Sequence, residues 1–437
     1  MSIDPVLRAD TVEEAITERR EEWLDIVSDL ISIPAENPPG DTTEIAAHFE
    51  DFLRDRGVPY ERIAPKAEMP NIVAQFEGNG GDPDDGRHLV FNGHFDTFPS
   101  REVDRWDRDP FSGAVADGKI HGRGASDMYG GLTASIAAFL YLFEHRDVLQ
   151  GRVTLTVVSD EESGARWGTK HIVENYPEYR GDAVISGEPS SNGIIRFGER
   201  GRAWIAVSVR GDSAHTCSVP RGLSAIDVLL DVLRDVRDLE GDSDLVSVPA
   251  DMREVILDAR PQMDAAYGDG ATDRILKLRV NVGTVEGGEK INLVAENAQA
   301  EIDIRLPIGT STDDAVAAVE SIADDHPGEI AVTGAPSVTN PYKDPTASDH
   351  RHPIFQQLQT AAGRVRDEPP AFSCALAGTD CAYYREAGIP CAVYGPSPHN
   401  LGSQNEFIYV DEFMEIVKAQ AMAAAGYMAG VDSLPQP

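Results

Sequence analysis

Residues 88–99 read HLVFNGHFDTFP, an apolar run that stops at Phe91 and is followed by His94 and Asp96. A short apolar run bounded by turn residues fits a strand buried on both faces, as in parallel sheets covered by helices. Similar runs recur at 71-NIVAQF, 153-VTLTVVS, 183-AVIS and 390-PCAVYG, and the stretch 131-GLTASIAAFLYLFEH among them reads as a helix. Strands alternating with helices predict an α/β domain with a mixed, largely parallel sheet flanked by helices. Upstream, Thr11-x-x-Glu14 has capping-box spacing and opens a run with Ile16, Trp23, Ile26, Val27, Leu30 and Ile31 on one face. A second helix is expected from about residue 43 to 56, closed by Gly57.

The pattern changes near residue 200. The strand 203-AWIAVSVRG precedes a helix beginning near Gly222, with Ala225, Ile226, Val228, Leu229, Leu230 and Leu233 as its apolar face. After a polar, acidic stretch (residues 238–275) that reads as an insertion come 277-KLRVNVGTV, 298-AQAEIDIRL, the helix 312-TDDAVAAVESIA and the strand 329-EIAVTG. That β-α-β-β-α-β order predicts a smaller α+β sandwich with its helices on one face. At 437 residues the chain exceeds the size of a single core. Residues 1–200 with 342–437 are therefore expected to form one discontinuous domain, and 201–341 an inserted one.

Thirty-eight Lys and Arg stand against 74 Asp and Glu, a net charge of −36, and only seven of the 38 are lysines. Such a field repels nucleic acid and anionic membranes, which excludes both as partners. Acidic excess spread along the chain, with Arg preferred to Lys, fits a halophilic surface; an ordinary acidic protein is the other reading. The four cysteines (Cys217, Cys374, Cys381, Cys391) show no CxxC spacing and read as reduced thiols. The start MSIDPVLRAD lacks an apolar signal region, and no stretch approaches 18 uninterrupted apolar residues, so a cytoplasmic protein is expected.

Four of these strand runs end in candidate ligands. The run at 88 leads to His94 and Asp96, that at 153 to Asp160, Glu161 and Glu162, that at 183 to Glu188, and that at 391 to His399. Asp127 lies in a glycine-rich loop, 122-GRGASDMYGG, feeding the long helix. In open α/β sheets, ligands bind outside the carboxyl ends of the strands. Singly, each residue has a plain reading: a strand-end histidine is more often a turn residue than a ligand, and DEE is commonly a solvated loop. The set is another matter, because separate strands deliver imidazole or carboxylate to one rim. Mixed N and O donors without thiolate suit zinc, cobalt or manganese, and so many groups would serve two metals bridged by one carboxylate.

With GHFDTFP, W106-x-x-DPFSGAV, DGKIHGRGASDMYGG, VVSDEESG, GEPS and GRAWIAVSVRGDSAH, the chain resembles the acetylornithine deacetylase / succinyl-diaminopimelate desuccinylase / carboxypeptidase G family of co-catalytic zinc hydrolases over nearly its whole length. The resemblance implies an amidohydrolase acting on N-acyl amino acids or short peptides. Its catalytic domain is interrupted by a lid that dimerises. Asp127 would bridge two divalent ions, zinc first among candidates, with His94 and Glu188 on one and Glu162 and His399 on the other. Glu161 would be the general base on the metal-bridging water, and Asp96 would hydrogen-bond the free nitrogen of His94. In the lid, His215 of GDSAHT resembles the histidine that stabilises the tetrahedral oxyanion. Asn292 and Arg305 resemble the residues gripping the substrate carboxylate, and Gly378-Thr379-Asp380 the substrate loop.

Two departures stand out. Tyr129 occupies the usual lysine position of D-M-K-G-G, and five residues separate His399 from Asn405-Glu406, where the family has its ligand histidine close before such a pair. Beside deacylation, a carboxypeptidase or dipeptidase with the same centre remains open, as does a non-catalytic metal- or peptide-binding role.

Overall fold

A computed structural model describes residues 3–218, 222–242, 245–338 and 340–430. The chain forms two compact units, one of Met1–Phe197, Ser348–Ser373 and Thr379–Pro437, the other of Gly198–Ala347 with Cys374–Gly378.

In the first unit the strand Arg87–His94 runs parallel to Gly151–Val158 on one side and to Ala183–Ser186 on the other, and Ala183–Ser186 is parallel to Cys391–Val393. Antiparallel strands complete the sheet: Asn71–Glu77 and then Tyr60–Ile63 beyond Gly151–Val158, and Ile194–Glu199 beyond Cys391–Val393. The fold class is the one expected from the sequence. The register aligns His94 with Val158 and Asn92 with Ser186, so the parallel strands finish along one edge.

Both faces of this sheet are covered, which explains its unbroken apolar runs. Val90 and Val184 pack with Cys391, Val393, Val173, Cys381 and Tyr384, beneath the helices Thr169–Asn175 and Cys381–Glu386. On the opposite face the helix Gly130–Glu144, buried nearly all round, lies between the sheet and the long helix Val410–Met428. Its first turn meets bare backbone. A Cβ on Gly131 would lie 1.7 Å from the Gly187 carbonyl oxygen, and one on Gly395 would lie 2.1 Å from the same atom. Three glycines thus let a helix start press onto the ends of two strands.

One local expectation fails. Thr11 does not cap: the helix begins at Ala9 with Arg8 before it, leaving Thr11 inside the first turn. A break at Arg19 then divides the amphipathic run into Ala9–Glu18 and Arg20–Ser32.

The second unit has an antiparallel sheet in the order Arg279–Gly287, Asn297–Leu306, Gly201–Arg210, Glu329–Gly334. Ala203, Ile205, Val207 and Val209 alternate toward one face. There they meet Ile302 and Ile304, with Val228, Leu229 and Val232 of the helix Ala225–Asp238 and Ala315 and Val319 of Thr312–Asp324. The acidic stretch between its first helix and next strand folds into three short helices, Ala250–Asp258, Arg260–Tyr267 and Ala271–Leu276. Among the described residues, no helix is long and apolar enough to cross a membrane.

Candidate metal centre

His94 closes its strand with the ring buried. Its Nδ1 donates to the backbone carbonyl of Asp96 at 2.8 Å, which puts a proton on Nδ1 and turns Nε2 toward the carboxylates. Nε2 stands 3.3 Å from Asp127 Oδ1 and 3.4 Å from Glu188 Oε1. Nevertheless Nε2 of His94, Oε1 of Glu188 and Oε1 of Glu162 are buried without a hydrogen-bond partner. Their ligand atoms form two groups, His94 with Asp127 and Glu188, and His94 with Glu161 and Glu162, each within 4.8 Å.

The electrostatics need a cation. Burial, then Glu188 and Glu162, hold the Glu161 carboxyl well above its ordinary range. Burial, then Asp127, push Glu162 up to about 10. Burial alone would lower the His94 imidazole, but Asp127 and Glu188 outweigh it and raise the ring well above its usual value. Converging carboxylates around an imidazole nitrogen, with orphaned polar atoms and no thiolate among them, fit divalent ions of the zinc, cobalt or manganese type.

The supports differ from expectation. The Asp96 carbonyl, not its carboxylate, takes the Nδ1 hydrogen bond; Oδ1 is 3.5 Å away. The reason is the turn after the strand, which sends the side chain across to the next strand's loop. There it accepts from the backbone N–H groups of Glu161 (3.2 Å) and Glu162 (3.1 Å) and from Asn37 Nδ2 (2.8 Å). Asp127 is placed by Glu406, whose Oε1 accepts from the N–H of Ser126 (2.9 Å) and of Asp127 (3.2 Å) while Oε2 takes Arg123 Nη1 at 2.5 Å. Tyr129, in the lysine position, is buried and donates its hydroxyl to the Phe95 carbonyl at 2.6 Å.

His399 is brought to neither group. Its ring stacks on Phe407 at 4.8 Å and Nε2 lies 3.6 Å from Glu412 Oε2, so the loop after Cys391–Val393 ties it to the following helix instead. Thr379 is buried in the first unit, where its Oγ1 accepts from the Cys381 N–H, and neighbouring Asp380 accepts from Thr169 Oγ1 at 2.6 Å. His215, Asn292 and Arg305 belong to the second unit. His215 Nε2 is 3.2 Å from Asn292 Nδ2, whereas the Arg305 guanidinium is engaged by Asp303 at 3.0 Å. Sequence reasoning missed Asn37, Arg123 and the role of Glu406; the one available signal was the Asn405-Glu406 pair itself.

Residues 90–425 match peptidase family M20/M25/M40, and the chain belongs to that family. It is a metal-dependent hydrolase of amide bonds. A probable succinyl-diaminopimelate desuccinylase of Staphylococcus epidermidis is 25% identical over 414 residues, covering 90% of this chain and 96% of the relative. An M20 family metallo-carboxypeptidase from Sulfolobus solfataricus shares the fold with a TM-score of 0.74 at 19% identity, over 93% of this chain and 99% of the other. A dinuclear metal-binding M20 peptidase from Bacillus subtilis superposes with a TM-score of 0.66 at 14% identity, over 94% and 98%.

Proposed function

We propose that this hydrolase removes an acyl group from an N-acyl amino acid. The observation that carries the reading is the pair of ligand groups sharing His94, with donor atoms that find no hydrogen-bond partner. His94, Asp127 and Glu188 would hold one divalent ion, and Glu162 with Asp127 the other, zinc being the first candidate for both. When bound, the ions supply the positive charge that offsets the carboxylates, acidifies an attacking water and polarises the scissile carbonyl. Glu161 takes the proton from that water and hands it to the leaving amine nitrogen. The Asp96 carboxylate keeps Glu161 and Glu162 in place through their N–H groups. His215 serves as a donor to the oxyanion, and Asn292, Arg305 and Thr379 as contacts for the substrate carboxylate and backbone. The acidic surface works at high salt, and the open edge strand Arg279–Gly287, with Val285 53% exposed, pairs two copies into a dimer.

The test is a panel of N-acetyl and N-succinyl amino acids and dipeptides, assayed at high salt with added zinc, cobalt or manganese. Deacylation is expected, with Glu161→Gln keeping its metal and losing about 10²-fold or more of the rate. Cleavage of dipeptides alone would replace the deacylase reading by a peptidase one. Full activity of Glu161→Gln would remove Glu161 as the base.

A further inference from the structure

The second unit carries a thiol, an imidazole and an amide in a row. Cys217 Sγ lies 2.7 Å from His215 Nδ1, and His215 Nε2 lies 3.2 Å from the Asn292 side chain. The row is held by backbone bonds: Thr216 N–H donates to the Asn292 carbonyl at 3.2 Å, Val294 N–H donates to that of Ala214 at 2.8 Å, and His215 bridges Leu293. Nδ1 also accepts from the Cys217 N–H at 3.3 Å, so it carries the lone pair and Nε2 the proton. Turned end for end, the Asn292 amide presents to that proton its Oδ1, which otherwise has no partner. Cys217 is exposed, whereas Cys374, Cys381 and Cys391 are buried.

We propose that Cys217 is a thiol–disulfide exchange site for low-molecular-weight disulfides, with His215 as its base and Asn292 orienting the ring. A nucleophile within hydrogen-bond reach of a base that a third group orients is the arrangement such chemistry needs. In the step, the Cys217 thiol proton passes to Nδ1 and the thiolate attacks one sulfur of RSSR. The Sγ–S bond forms, the reagent's S–S bond breaks, and the departing RS⁻ takes the proton from the imidazolium, leaving Cys217–S–S–R and RSH. The new group sits against the ring of His215. Given the role proposed above for that histidine, exchange switches hydrolysis off; this second half rests on that reading.

The experiment treats the metal-loaded full chain with neutral 4,4′-dithiodipyridine at pH 7, following released thiopyridone and intact mass. One fast adduct, on Cys217, is expected. It should be absent in Cys217→Ser and roughly tenfold slower in His215→Asn. Asn292→Ala, slower by a smaller factor, is the second variant should His215→Asn unfold, an event that four adducts would reveal, since the chain has four cysteines. A fast adduct on another cysteine, or equal rates in wild type and both variants, overturns the proposal. Hydrolysis should fall in step with the adduct and return with a thiol reductant, while Cys217→Ser keeps its activity under the reagent. An adduct that needs His215 but spares hydrolysis upholds the exchange site and removes the oxyanion role of His215.

Discussion

The Asp96 carboxylate accepts three hydrogen bonds, and two of the donors are the N–H groups of Glu161 and Glu162, the acids proposed above as base and ligand. Asp96→Asn keeps the shape but turns one acceptor into a donor facing an N–H, so the turn at Glu161 loses its anchor. Zinc titration of the metal-stripped variant should show affinity about 10–100-fold weaker. In the same titrations His399→Ala should retain wild-type stoichiometry and His94→Ala should lose metal; a deficit in His399→Ala would return that residue to the centre. Legibility divides along the same line. His94, Asp127, Glu161, Glu162 and Glu188 could be picked out because each follows a strand or opens the buried helix, and the sheet register then collects them. Arg123 and Glu406 are 283 positions apart, and no local pattern announces a contact of that range. His399 was the last histidine before the Asn405-Glu406 pair, but a strand end does not dictate where the following loop turns, and Phe407 and Glu412 decide it.

Among the elements, the start of Gly130–Glu144 is the tightest joint. Gly131 stands four residues after Asp127, and Gly131→Ala would drive a methyl group into the carbonyl of Gly187, the residue before Glu188. Unfolding by urea should show a loss of about 3 kcal/mol, with metal affinity falling too, since Asp127 and Glu188, the ligands proposed above, both move. Gly241→Ala, which meets nothing within 4 Å, is the matched control; equal losses would deny the joint its importance. The strand Arg87–His94 also supplies a pH effect. Burial pushes the His88 imidazole down to about 4, while its Nε2 and Thr154 Oγ1 share a hydrogen bond at 2.7 Å. A depressed histidine is neutral when folded and ordinary, near 6.5, when unfolded. The unfolded chain therefore takes up the proton first, and stability present above pH 6.5 is lost as pH falls toward 4. His88→Gln should flatten the fall of melting temperature over that window; an unchanged slope would show that other groups carry it. Strands and helices were foreseeable as elements because apolar period and burial agree. The break at Arg19 was not, since both halves of that run share one apolar stripe.

For the molecule as a whole, a net charge of −36 opposes its own compaction, and screening relieves it. The melting temperature should rise by several degrees, roughly 5 °C or more, between about 0.1 and 2 M KCl. Light scattering over the same series should give twice the mass of the chain. A flat or falling melting curve would make this an ordinary acidic protein, and a monomer throughout would exclude pairing through Arg279–Gly287.

The anchoring of Asp127 by Glu406 also sets a timetable. As the chain leaves the ribosome, the glycine-rich loop is made early, and the N–H groups of Ser126 and Asp127 then lack the acceptor that fixes them. That acceptor is translated only after both segments of the second unit, Gly198–Ala347 and Cys374–Gly378. A nascent or prematurely terminated chain can own every acid on the rim and still be unable to present them. The acceptor that fixes Asp127 is thus made 279 positions after the residue it serves.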